Sequence, residues 1–370
     1  MRITYLSNTA IPSDVASSIQ IVKMCEAFTK NGNSVNLITT NASKIKSNIF
    51  HFYDVKNNFK IWKINYFKTF PLGFKYYLFS IFSIIKGIKL KTDIYITRNY
   101  FSCFLLVLFK KKIIMELHHG LSEESRIVQW LFKNTKFINS KHVVKIVAIT
   151  NAVKDYYTKN YSVKANKIQV LPSGSSINKN FKFRTHKKFL KIGYFGSIYK
   201  SRGYKLIIEL AKLDKKNKYF IYGNINNKNL FRKNNINNNL YWNNYIPYKE
   251  IPKNLEMMDI LIMPYVSSIT TAGDVGDITN FTSPLKLFDY LRVGKIIICS
   301  DIIVLREVLK QNTNAIFIKN YKKPHSWLRE INRISISNEK QFIISKNNYK
   351  LGKAHSLNNR AKKILENIKI

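Results

Sequence analysis

The stretch SPLKLFDYLRVGKIIICSD, residues 283–301, reads as a helix start, one short helix, a glycine stop and a buried strand. Ser283 is placed as an N-cap, because its hydroxyl can accept a backbone N–H that the first turn leaves unpaired. Pro284 suits the first helical position, where no N–H is needed and φ is already set. Lys286 then falls in the first turn, where the helix dipole opposes a cation. A helix N-terminus with free N–H groups and a lysine is a place for an anion, most simply a phosphate. Gly294 ends the helix. Residues 296–299 are apolar and β-branched enough for an interior parallel strand.

The same alternation of strand and helix runs outward from this stretch. Residues 3–7, 35–39, 94–97, 113–117, 144–150 and 168–171 read as strands. Between them, residues 18–31 carry apolar positions at helical spacing and stop at Gly32, and 152–159 form another helix. After a polar, strandless segment at 172–188 a second series begins: strand 191–195, helix 203–213, strands 219–222 and 260–263, then the opening motif. The asparagine- and lysine-rich residues 224–239 read as a low-complexity surface loop. The economical reading is α/β, with two Rossmann-like domains and a ligand cleft at the carboxyl ends of the strands. The expected boundaries are 1–185, 186–350, and a closing helix at 351–370.

Composition narrows the field. A hydrophobic content of 45% supports real cores, and no apolar run reaches the ~18 residues needed to span a bilayer. The opening MRITYLSNT reads as a first strand, not a signal peptide. Cys25, Cys103 and Cys299 are far apart and odd in number, which argues against a disulfide framework or metal spacing and for a cytoplasmic setting. The formal net charge is +41, spread about evenly over residues 1–185 and the remainder. Such a chain is drawn to polyanions, a membrane face or nucleic acid, although a lysine- and asparagine-rich composition accounts for the number equally well. No specific nucleic acid is expected, since no recognition motif is present.

The segment SPLKLFDYLRVGK resembles the SPLKxFEYMAxGKP signature of glycosyltransferase family 4. IGYFGSIYKSRG (192–203) resembles the first βα turn of that family's donor domain, and IPSDVASSIQIVKMCEAFTKNG (11–32) the first loop and helix of its acceptor domain. IIMELHH, IVAITNAVKDYY, KIQVLPSG and the C-terminal SLNNRAKKIL follow in family order. The resemblance implies a GT-B fold with an inter-domain cleft and a crossover helix. It implies donor binding by Gly196, Ser197, Lys200, Arg202, Ser283, Pro284, Leu285, Lys286 and Asp289. Glycines bracket the 196–203 turn so that backbone can approach a diphosphate, while Lys200 and Arg202 add charge. Ser197 replaces a common family arginine. Asp289 stands where the family has a ribose-binding Glu, and Phe281 where many members have a second Glu near the sugar. Asp274, Asp277 or Thr282 are then candidates for sugar recognition. The implied catalytic residues are His118, His119 and Lys286, either histidine serving the leaving group or the sugar, with Glu116 beside them as buried structure or an acid/base group. Asn8, Ser17 and Ser18 form the acceptor or phosphate loop.

The resemblance thus implies a retaining, metal-independent, hexosyl-type glycosyltransferase, its nucleotide diphosphate sugar a substrate and no resident cofactor expected. The acceptor is a lipid-linked or growing cell-surface glycan, in capsule, O-antigen or similar lipopolysaccharide synthesis. Residues 66–91 interleave aromatics, aliphatics and lysines. They fit an interfacial helix on an anionic membrane surface, or an ordinary packed helix, so a peripheral place on the inner membrane face is expected. The alternatives are a GT-B isomerase or hydrolase of nucleotide sugars and a basic nucleic-acid-binding protein.

Overall fold

Every strand pairing in the two sheets is parallel, which follows from strands that are apolar runs buried on both faces rather than alternating ones. The computed structural model describes residues 1–65, 70–183, 189–223, 238–269 and 277–368. The chain forms two units. The first comprises Met1–Ser173, Phe281–Ser283 and Leu357–Ile370, the second Gly174–Asn280 and Pro284–Ser356. The first division falls earlier than residue 185, because Ser175 already bridges Ser356 and its hydroxyl bonds Asp289, both of the second unit.

The first unit is built on β1 (Arg2–Ala10), β2 (Ser34–Thr40), β3 (Lys60–Ile64), β4 (Ile94–Thr97), β5 (Ile113–Leu117), β6 (Val143–Ala148) and β7 (Ile168–Val170), in the order β3-β2-β1-β4-β5-β6-β7. One face is covered by α1 (Ala16–Lys30) and α2 (Ile49–Tyr53). The other is covered by α3 (Leu72–Lys89), α4 (Tyr100–Leu108), α5 (Arg126–Thr135) and α6 (Asn151–Tyr161). The second unit carries β8 (Lys191–Phe195), α7 (Tyr204–Leu213), β9 (Lys218–Tyr222), β10 (Leu240–Asn243), α8 (Ile251–Glu256), β11 (Ile260–Met263), α9 (Leu285–Arg292), β12 (Ile296–Ser300), α10 (Ile303–Arg306), β13 (Ala315–Ile318), α11 (Pro324–Ser335) and α12 (Asn338–Ala354). Its strand order is β10-β9-β8-β11-β12-β13. Both sheets reverse direction once, at β1/β4 and at β8/β11, and ligands bind at such switch points, outside the carboxyl ends of the strands.

Two strands at the edges, β3 and β10, and the edge strand β13 were not evident from sequence. KIWKI places lysines among its apolar residues, and LYWN is too short to show a period. The predicted helix start at Ser283 is also corrected. Pro284 keeps an extended backbone (ψ 124°), so the helix begins at Leu285 with Pro284 as its N-cap and no side-chain cap. The Ser283 hydroxyl instead accepts the N–H of Ser173 at 3.0 Å. Residues 224–237 of the proposed surface loop lie outside the described residues.

The last helix, α13 (Leu357–Leu365), belongs to the first unit, where Leu357, Ala361 and Ile364 join the core around Tyr5, Met24 and Phe28. It also carries Arg360 into the interior. Glu116, the one ionisable residue of β5, is 1% exposed. Its Oε2 accepts from the Tyr5 hydroxyl and from Arg98 Nε (3.2 Å), and its Oε1 lies 2.8 Å from Arg360 Nη2. Arg360 Nε donates to the Pro172 carbonyl at 3.0 Å. Burial would raise the Glu116 carboxyl, but Arg360 and Arg98 outweigh it and hold the group well below the usual carboxylate range. Removing one member leaves a buried uncompensated charge. Arg360→Met is therefore expected to destabilise the first unit by about 3 kcal/mol. Urea midpoints and the amide exchange of residues 357–365 check this, and unchanged exchange there would contradict it.

Candidate functional site

Strand β8 ends at Phe195 and α7 begins at Tyr204, and the turn between them depends on two glycines. Gly196 has φ +147° and Gly203 φ +72°, conformations that side-chain-bearing residues rarely take. At Gly203 a β-carbon would collide with the carbonyl oxygen of Pro264, just beyond β11. The Gly196 N–H donates to the Tyr222 carbonyl at 2.9 Å and keeps the turn seated on the sheet.

Helix α9 is tied to this turn. The Tyr290 hydroxyl accepts the N–H of Phe195 at 2.9 Å, and the Tyr194 hydroxyl donates to the Ser197 carbonyl at 2.7 Å. Lys286, one helical turn before Tyr290, consequently holds its ammonium 4.2 Å from the ring centroid of Tyr194 and 5.5 Å from that of Tyr265. A β-carbon at Gly196 would stand 3.0 Å from Lys286 Nζ, so the lysine occupies the space that the glycine leaves. The Arg202 guanidinium lies 5.3 Å from the Tyr265 ring.

Ring faces attract cations but carry no net charge to neutralise them. Among the described residues no carboxylate pairs with Lys286, and Arg202 is the charge that acts on it. Burial, and then Arg202, push the Lys286 ammonium well below the usual lysine range. The first N–H groups of α9, at Leu285 and Lys286, have no intrahelical acceptor. Fixed N–H groups and two cations therefore converge beside a glycine turn. Chemically, that arrangement is suited to an anion and to negative charge that develops on it.

The other sequence-derived residues fall in different places. Ser197 and Lys200 are exposed on the turn, and Pro284 and Leu285 are half-buried at the helix start. Asp289 is buried, and its Oδ1 accepts from Ser175 Oγ (2.6 Å) and the Tyr248 hydroxyl (3.0 Å). Asp277 holds a local turn by accepting from the Thr279 N–H and hydroxyl, and Asp274 lies outside the described residues. Among the described residues no cluster of His, Cys, Asp or Glu has the form of a metal site.

In the first unit Asn8 is exposed at the end of β1 and Ser17 is half-buried, whereas Ser18 is fully buried. Its hydroxyl bonds within the loop, to Ser13 and the Val15 carbonyl, and so shapes the loop. The two histidines separate clearly. His118 turns back toward Glu116 (3.9 Å), with a side chain 17% exposed; burial and then Arg98 push it down to about 3, so its imidazole is neutral. His119 is 31% exposed, pairs with Glu124 at 3.6 Å and lies edge-on to Tyr100. Phe281 packs against Tyr156 at 5.3 Å. Sequence reasoning missed Tyr194, Tyr265 and Tyr290, although a tyrosine two residues before Gly196 and another four after Lys286 were there to find.

Comparison with protein-family models matches "Glycosyltransferase Family 4" over residues 18–179 and "Glycosyl transferases group 1" over residues 176–351. None of the curated proteins matches the sequence. Among solved structures, Anabaena Alr3699/HepE in complex with UDP and glucose is similar at a TM-score of 0.70 and 11% identity over 100% of both chains. A glycosyltransferase from Rickettsia africae gives 0.70 and 15% over 99% of each. The lipopolysaccharide outer core galactosyltransferase WaaB gives 0.67 and 15% over 100% of each. At such identities the likeness establishes the fold, two parallel-sheet Rossmann-like domains of the GT-B type.

Two outcomes test these electrostatics. Lys286 is desolvated and repelled by Arg202, with no counter-ion among the described residues, so Lys286→Met is expected to stabilise the ligand-free chain by about 1 kcal/mol. Inorganic pyrophosphate should raise the melting temperature of the unmodified chain and leave that of the variant unchanged. His118 has a folded value of about 3 against an ordinary 6.5, so its contribution is complete above 6.5 and is lost as pH falls toward 3. By pH 5 the loss should be roughly 2 kcal/mol, and His118→Gln should flatten this slope in urea unfolding.

Proposed function

We propose that this chain, a glycosyltransferase of the GT-B type, moves a hexosyl group from a nucleotide diphosphate donor to a lipid-linked or growing cell-surface glycan, as in capsule, O-antigen or other lipopolysaccharide synthesis on the cytoplasmic side. The observation that carries the reading is the Lys286 ammonium held against Gly196 without a carboxylate partner among the described residues. A departing nucleotide diphosphate is a counter-ion that suits such a cation. UDP and glucose are present in the similar Anabaena structure, and WaaB is named a lipopolysaccharide outer core galactosyltransferase; both support the reading.

In the proposed reaction the bond between the anomeric carbon and the phosphate oxygen breaks as the acceptor hydroxyl attacks from the same face. The hydroxyl proton passes to the leaving phosphate, and configuration is retained. Lys286, Arg202 and the N–H groups at the start of α9 take up the charge on the phosphate, so that no metal is required for the step. Ser197, Lys200 and Ser283 to Leu285 border the donor. Asp289, already bonded to Ser175 and Tyr248, reaches the ribose through one of those hydroxyls or a water. Of the two histidines we assign substrate contact to His119, since His118 is turned toward Glu116. The loop of Asn8, Ser17 and Ser18 serves the acceptor.

Incubation with labelled nucleotide sugars and bacterial membranes tests the proposal. Transfer to membrane glycan is expected, with Lys286→Met lowering kcat/KM by about 100-fold or more and His119→Ala costing more than His118→Gln. Neither transfer nor hydrolysis of any donor would overturn it. An altered free sugar formed without acceptor would point to isomerase or hydrolase chemistry at the same site.

A further inference from the structure

Exposed large apolar side chains concentrate on one helix of the first unit. On α3, Phe74 (62%), Ile81, Phe82, Ile85 (47%) and Ile88 are all exposed, while Phe79 on the far side is buried and Ile84, beside the stripe, enters the core. The spacing 74, 81, 85, 88 is a single helical stripe, so the outer face of α3 is apolar over most of its length. The helix is amphipathic in an unusual sense: its inner face packs on the sheet, and its outer face is an apolar stripe flanked by lysines. Its 18 residues, LGFKYYLFSIFSIIKGIK, contain no acidic residue. A stripe of this size on a soluble surface marks a contact with something apolar.

The charge beside the stripe says what kind of surface it meets. Phe82 and Ile85 share a groove of about 370 Å³ with Lys63, Lys86 and Lys89, closed by Ile64 and Asn65 of the edge strand β3 and the residue after it. Helix α4 packs beside α3 and, like it, runs antiparallel to the strands, which brings the exposed Leu108 and Phe109 and the following Lys110 to the same end. A second copy of the chain seated here would oppose these lysines with their own counterparts. A nucleic acid would leave the isoleucines against a polar groove. An anionic bilayer surface satisfies both features, since acyl chains take the apolar stripe and lipid phosphates take the lysines. No helix among the described residues is long and apolar enough to cross a membrane, so contact by α3 would be interfacial.

We propose that α3 is a membrane-docking helix whose lysine groove holds the phosphate of an anionic phospholipid while its outer stripe enters the acyl region. The inference does not depend on the donor site or on the transfer reaction, and its readout is binding alone. The full chain is sedimented with vesicles of phosphatidylglycerol and phosphatidylcholine in equal parts, and with vesicles of phosphatidylcholine only. Tight, salt-sensitive binding is expected for the first. Phe82→Ser with Ile85→Ser, and separately Lys86→Glu with Lys89→Glu, should each weaken it about tenfold or more. Lys249→Glu with Lys253→Glu, the same charge change on exposed lysines of the second unit, should leave it within about twofold. Equal binding to both vesicles, or equal loss from the control pair, would overturn the proposal. Should the serine pair fail to fold, Ile85→Trp keeps the test open. Brominated acyl chains should quench it more strongly than they quench the unmodified chain, and no added quenching would again overturn the proposal.

Discussion

Lys286 is held 4.2 Å above the ring of Tyr194 by a helix that Tyr290 ties to the end of β8, and its chain supplies no carboxylate partner for it among the described residues. Much of the local structure exists to permit that approach. Gly196 leaves the space into which the ammonium projects, and Gly203 lets the turn pass under the Pro264 carbonyl. The parallel sheet places both the turn and the start of α9 at the carboxyl ends of its strands, where a crossover topology reverses. A desolvated cation facing another cation costs stability in the empty protein. An anion bound beside Lys286 would offset that cost.

The first unit handles buried charge in the opposite way. Glu116 is as deeply placed as any carboxylate among the described residues, but Arg98, Arg360 and the Tyr5 hydroxyl surround it. The network is closed within one unit and fastens the last helix to the sheet. His118 sits at its margin and is kept neutral by burial and then by Arg98. Paired ionic clusters of this kind organise a fold, whereas an ammonium with no carboxylate partner among the described residues is a candidate place for a ligand. The contrast is what separates His118 from His119 and Glu116 from Lys286.

Much of this was legible in the sequence, and the exceptions have identifiable causes. Apolar β-branched runs and glycine stops reveal the parallel strands and the two-domain plan, because interior strands carry no alternation that could be confused with polar surface. Lys286 and the 196–203 turn were visible because glycine and a first-turn lysine are locally anomalous. Ser283 misled because cap preference is a local rule, and the extended Pro284 moved the helix start by one residue. The partnership of Glu116 with Arg360 joins the fifth strand to the last helix, a distance no window in sequence can cover. Tyrosines 194, 265 and 290 read as ordinary core residues, since an aromatic ring shows its role toward a cation only in three dimensions. The stripe on α3 was apparent as interleaved lysines and aromatics, but which face it presents depends on the sheet beneath it.

The central claim is that Lys286, beside Gly196, binds the diphosphate of the donor. A crystal structure of the chain with a nucleoside diphosphate tests it most directly. The account predicts a phosphate oxygen within hydrogen-bonding distance of Lys286 Nζ, beside Gly196 and at the start of the helix that begins at Leu285. A bound nucleotide whose phosphates lie elsewhere, with Lys286 still resting on Tyr194, would contradict it.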